Sequence, residues 1–131
     1  MHSDMNVFSL GDLTRSLLGF VRRKNHAHEA RRWPVVDAII SSFTLEPDLR
    51  GIRPVVHYSY ALDNATWHGS CIGFAIKEPL LKRLHENLNA LQVIRVRYDP
   101  TDLGCSLVLN RDNPGLPFKV DPDPHLMVMV D

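Results

Sequence analysis

"VVHYSYALDNATWHGSCIGFAI", residues 55–76, decides the fold. In its first half Val56, Tyr58, Tyr60 and Leu62 alternate with Val55, His57, Ser59 and Ala61. A period of two belongs to a strand whose successive side chains point to opposite faces. Asp63-Asn64 then has the composition of a tight hairpin turn. Beyond it "TWHGSCIGFAI" (66–76) reads as a further strand, with Trp67 and Cys71 on one face and His68, Ser70 and Ile72 on the other.

Working outward, "VVDAIISSFTL" (35–45) predicts a strand before this hairpin, joined to it by a loop at "EPDLRGIRP" (46–54). On the other side "EPLLKRLHENLNAL" (78–91) predicts a helix. Pro79 suits its first turn, and Leu80, Leu84, Leu88 and Leu91 form an apolar ladder. "QVIRVRY" (92–98) predicts a fourth strand with Ile94, Val96 and Tyr98 inward, and "CSLVLN" (105–110) a fifth. Asp99-Pro100-Thr101-Asp102 between them has turn chemistry, since Asp caps backbone amides and Pro fixes φ. The predicted core is Val56, Tyr58, Tyr60, Trp67, Cys71, Ile94, Val96, Tyr98 and Leu107, covered by Leu80, Leu84 and Leu88.

The result is an α+β chain: a small five-stranded antiparallel β-barrel or sandwich with the OB-like element order βββαββ and an extra N-terminal helix. That helix is expected over residues 6–32, with Asn6 or Ser9 as cap and Pro34 as its stop. Val7, Leu10, Leu13, Leu17, Leu18, Phe20 and Val21 make an apolar stripe, with Arg22, Arg23 and Lys24 beyond it. Three parts are expected: an amphipathic helix over 1–32, a β-rich domain over 33–110, and a Pro-rich extended tail over 111–131.

Composition narrows the function. The chain has 131 residues, 44% of them hydrophobic, which suits one domain with a modest core. Lys plus Arg and Asp plus Glu both number 15, so the net charge is zero, which argues against a dedicated nucleic-acid binder. No apolar run reaches the roughly 18 residues of a membrane span. The first residues lack a signal-peptide layout, with charges after the apolar part and Asp4 and Asp12 within it. Cys71 and Cys105 are too few for a disulfide framework, so both are expected as free thiols in a reducing, cytoplasmic setting.

Three motifs coincide in order. "RRWPVVDAII", "VVHYSYAL" followed by "ATWHG", and "VRYDPTDLGCSLVL" together resemble the bacterial domain-of-unknown-function family 3592 over residues 31–110. That family has Trp-Pro before a first strand, a Tyr-x-Tyr hairpin followed by an aromatic residue and Gly, and a Val-x-Tyr-Asp-Pro run. Ala38 stands where the family usually has Gly, and Leu103 where a second Asp-Pro pair would place Pro. The resemblance implies a small β-rich bacterial domain and no established activity. It carries over no catalytic residue. Its members often carry neighbouring transmembrane helices.

No residue is assigned a catalytic, cofactor-binding or metal-ligating role. Cys71 and His68 lie an odd number of residues apart on a strand, so they face opposite ways and form no nucleophile–base pair. His26 and His28 have the wrong spacing for one helical face, and with Glu29 they make no zinc motif. His57 and His68 are two histidines without further ligands. Asp99 and Asp102 are explained by their turn. Neither phosphate-loop nor dinucleotide glycine motif is present. A polar face of His57, His68, Arg95 and Arg97, with Ser59 and Ser70, is the sharpest candidate for nucleic acid or oligosaccharide. It lacks the aromatic platforms that single strands stack on. The expected function is therefore a non-enzymatic binding or interaction module. An OB-like nucleic-acid or oligosaccharide binder is the alternative, and a small enzyme the third. Leu10, Leu13, Leu17, Phe20, Arg22 and Arg23 form the expected interaction surface. A second copy or another protein is preferred there to a peripheral membrane contact, and no cofactor is expected.

Overall fold

The computed structural model describes residues 29–122. The helix expected over 6–32 lies outside the described residues as far as His28. The described chain enters at Glu29, which is α-helical, and passes into a 3₁₀ turn, Ala30–Arg32, which ends just before Pro34. Then follow β1 (Val35–Asp48), β2 (Gly51–Leu62), β3 (Ala65–Ile72), a 3₁₀ turn (Glu78–Leu80) running into α1 (Leu81–Ala90), β4 (Val93–Asp99), β5 (Asp102–Leu107) and a last 3₁₀ turn (Asn110–Asp112). The order β-β-β-α-β-β matches the expectation.

All pairings are antiparallel, in the sheet order β3-β2-β1-β4-β5. Counting directions along that order makes the two outer strands, β3 and β5, parallel. They lie side by side and nearly close the sheet into a barrel. Side chains bridge the seam. Tyr58 Oη lies 2.7 Å from Ser106 Oγ, and the Tyr60 hydroxyl donates to the Leu103 carbonyl at 2.6 Å. Gly104 of β5 lies under the Trp67 ring of β3.

The hairpin turns follow from local chemistry. Asp63 and Asn64 take φ of 53° and 61°, the left-handed pair that matches the twist of flanking strands. At the other hairpin β1 continues through Pro47 to Asp48, so the loop expected over 46–54 is replaced by the two-residue turn Leu49-Arg50. Asp48 Oδ1 accepts from the Arg50 amide at 3.2 Å. Gly51 follows with φ 143°, where a side chain would run into the Ile76 carbonyl. Pro47 is tolerated because β4 pairs only with Val35–Ile39, leaving this part of β1 without a ladder on that side. Pro54 sets the end of β3. Its carbonyl accepts from Gly73 N at 2.9 Å, but proline cannot return the second bond. Regular pairing stops at Val55–Ile72, short of the expected residue 76.

β1 carries a bulge between Ile40 and Ser42. Before it Val36, Ala38 and Ile40 face inward; after it Phe43 and Leu45 do. The extra residue, Ser41, switches the parity and re-aims the strand.

The core contains Ala38, Val56, Tyr58, Tyr60, Cys71, Ile94 and Val96, onto which α1 lays Leu84 and Leu88. Four expectations are corrected. Leu80 is 58% exposed, because it lies in the 3₁₀ turn ahead of α1 and is rotated off the helical ladder; half-buried Leu81 takes its place. The fifth strand starts at Asp102 instead of Cys105, which leaves Leu107 half-buried and sends Val108 into the core. Trp67 is half-buried, since its indole lies along the barrel seam and donates to the Leu62 carbonyl at 3.3 Å. Tyr98 is also half-buried, on the last inward position of β4 before the Asp99 turn.

Residues 113–121, within the stretch expected as an extended tail, run without regular structure and are packed. Asn110 fastens them, donating to the Phe118 carbonyl and accepting from the Val120 amide, both at 2.9 Å. Phe118 enters the core against Gly73.

Candidate functional site

The outer surface of the sheet is built from residues of one parity. On β4 these are Val93, Arg95 and Arg97. Opposite them on β1 stand Ile39, Asp37 and Val35. Ile39 pairs on its other side with Ser59, and Ser59 with His68. His57 stands between Ser42 and Ser70.

This geometry divides the expected polar face. His57 and His68 lie on β2 and β3, Arg95 and Arg97 on β4, with β1 between them. His57 Nδ1 lies 2.8 Å from Ser70 Oγ. Arg97 is committed to structure. Its Nε and Nη2 donate to the two Asp112 oxygens at 2.7 and 2.8 Å, and its Nη1 donates to the Arg31 and Trp33 carbonyls at 2.9 and 3.0 Å. The pair is mostly buried. Asp112 raises the Arg97 pKa, and Arg97 in turn holds the Asp112 carboxyl below its usual range. Four of the five guanidinium N–H donors are engaged in this way. Arg95 is exposed, with Asp37 3.9 Å away. Its backbone is gripped by Asn113, which accepts from Arg95 N at 2.7 Å and donates to Arg95 O at 2.9 Å.

The other candidates have clear structural duties. Cys71 is buried, and burial pushes its thiol up to about 12, far from thiolate chemistry at neutral pH. Cys71 and Cys105 form no disulfide. Asp99 Oδ1 accepts from the Thr101 amide and hydroxyl at 2.9 and 2.7 Å, fixing the turn between β4 and β5. Among the described residues no group of three or more His, Cys, Asp or Glu could hold a metal ion. His26 and His28 lie outside the described residues; Glu29 is exposed. No helix among the described residues is long and apolar enough to cross a membrane. The expected interaction residues Leu10, Leu13, Leu17, Phe20, Arg22 and Arg23 also lie outside the described residues.

One surface went unmarked in the sequence reading. Val35, Ile39 and Val93 are 43%, 65% and 52% exposed, and Ile39 and Val93 are direct cross-strand neighbours. Beside Val93 a cleft of about 430 Å³ is lined by Leu91, Val93, Pro114 and Leu116 together with Asp37, Arg95, Asp112 and Asn113. Ile39 and Val93 make one exposed apolar pair beside the cleft, and Val35 stands apart from it across the exposed Asp37–Arg95 row. Part of its signal was present: with Ala38 inward, Ile39 must point outward. Leu49, Phe74 and Leu80 are also exposed, singly and elsewhere.

The chain matches no family model, no curated protein and no solved structure.

Proposed function

We propose that this chain is a non-enzymatic protein-interaction module of a bacterial cell, with the outer β1–β4 face as its contact surface. The observation that carries the reading is the exposed cross-strand pair Ile39 and Val93 beside a cleft of mixed apolar and charged lining. Exposed apolar side chains that adjoin a cleft rimmed by charge suit a place of contact. The Tyr58 and Tyr60 hydroxyls are spent on closing the barrel and Arg97 on Asp112 and the entering turn, which leaves Arg95 as the exposed cation of the face. Membership of domain-of-unknown-function family 3592 and a cytoplasmic location are part of this proposal.

The test is capture from native bacterial lysate with the wild-type chain and with Ile39→Lys/Val93→Glu. A protein retained by the wild type and released by the double variant supports the reading. Retention that ignores the substitutions, or no retained protein, contradicts it.

A second reading, an OB-like binder of nucleic acid or oligosaccharide, is favoured by the topology. β1 pairs with both β2 and β4 while β3 and β5 close the barrel, an arrangement like that of OB barrels. The outer β2–β3 face offers His57, Ser59, His68 and Ser70 but neither aromatic platform nor cation. Nuclease-sensitive material in the same capture would support this alternative.

A further inference from the structure

We propose that the cleft takes an extended acidic–apolar segment of a partner protein, which pairs with the open edge of β4 at Val93 and sets a carboxylate against Arg95. This rests on the reading of the outer β1–β4 face as a contact surface and names the chemistry of the partner.

The direction of the β4 backbone carries the argument. Ile40 N donates to the Gln92 carbonyl at 2.9 Å, and Tyr98 N to the Pro34 carbonyl at 3.2 Å. In an antiparallel ladder bonded and non-bonded rows alternate, so the backbone groups of Val93, Arg95 and Arg97 turn away from β1. At Arg97 they meet β5, opposite Leu107. At Arg95 they meet the side-chain amide of Asn113, which stands in for a strand. At Val93 neither β5 nor any other described residue takes them. The Val93 N–H and C=O thus open beside the cleft that Val93 itself lines. Unpaired backbone of this kind is a template for a further strand.

Charge and shape set what that strand carries. Leu91, Val93, Pro114 and Leu116 offer apolar walls. Arg95 stands two residues from Val93 on the same face, about 7 Å along the strand. Among the described residues its guanidinium meets only exposed Asp37, at 3.9 Å, a contact of little worth in water. Asp112 is spent on Arg97. Exposed Arg111, beside Asp112, is a further cation without a hydrogen-bond partner among the described residues. The unspent charge around the cleft is therefore positive, Arg95 and Arg111 against Asp37, and favours an acidic segment over a basic one. A helix would bring side chains here but no backbone donor and acceptor for Val93.

The test uses the full chain, isotopically labelled for amide NMR, and pools of capped hexapeptides. One pool combines Leu, Ile, Val and Phe with a single Glu. A second has Lys in place of the Glu, and a third repeats the Glu pool with N-methylated backbone. The Glu pool is expected to shift the Val93, Arg95 and Leu116 amide signals and to slow exchange of the Val93 amide several-fold. The Lys pool should bind several-fold more weakly, and Arg95→Glu should reverse that order; the side chain is exposed, so the fold stands. N-methylation should abolish the protection of Val93. No effect of the Glu pool at Val93, indifference to N-methylation, or indifference to the charge of pool and residue 95 overturns the proposal. The lysate capture judges the contact surface separately: a protein captured through Ile39 and Val93 while the peptides fail keeps the surface and removes the extended acidic segment.

Discussion

The Tyr58 hydroxyl reaches across Gly69 to Ser106, 2.7 Å away, and so ties β2 to β5 over the strand that lies between them at the seam. Tyr58 and Gly69 are direct cross-strand partners. A β-carbon at residue 69 would stand 2.5 Å from the tyrosine oxygen and 2.7 Å from Ser106 Oγ. Glycine is thus needed for space, and the Tyr-x-Tyr and Trp-x-Gly segments of the sequence serve one closure. Gly69→Ala is expected to cost about 2 kcal/mol through overpacking, measured by urea unfolding. Tyr58→Phe, which removes only the bond, should cost about 1 kcal/mol.

The Arg97–Asp112 pair gives an acid limb to stability. Its folded-state carboxyl pKa is depressed, so its contribution is complete above the ordinary Asp value and is lost as pH falls through the folded value. Thermal unfolding followed below about pH 4 should show this loss in the wild type and a flatter profile in Asp112→Asn. At neutral pH that variant should be less stable by about 2 kcal/mol, the scale of a bond to a charged group. The 3₁₀ turn at Ala30–Arg32 should loosen with it, because Arg97 then has one anchor fewer.

Cys71 supplies an alkaline limb. Its pKa is raised by burial from 9.0 to about 12. Stability is fully present below the lower value and falls as pH rises from there towards the upper one, because only the unfolded state ionises freely. Cys71→Ala should be less stable at pH 7 but lose less on going to pH 11. A thiol reagent on the native protein should leave Cys71 unmodified.

The sequence shows β2 and β3 well because their alternation is unbroken, and Val56, Tyr58, Tyr60 and Cys71 are buried as their parity requires. β1 was harder. A bulge at Ser41 leaves no mark beyond two adjacent serines, and Pro47 looks like a loop residue until its unpaired edge is known. Leu80 belongs to the ladder by spacing and leaves it because Pro79 starts a tighter turn. Arg97 reads as a surface cation, since nothing local points to Asp112, fifteen residues on, as its partner. The exposed Ile39–Val93 pair was hidden for a different reason. Ile39 and Val93 are near no shared motif, and only the register of β1 against β4 makes them one surface.

Occupancy of the outer β1–β4 face tests the account most directly. Full-length Cys105→Ser chains carrying either Ile39→Cys or Thr66→Cys would be compared by maleimide labelling in native buffer, alone and with the protein captured from lysate. A contact surface predicts ready labelling at Ile39→Cys in the free chain, where this position is 65% exposed, protection there by the captured protein, and no change at Thr66→Cys. Equal labelling of Ile39→Cys with and without the captured protein would contradict it.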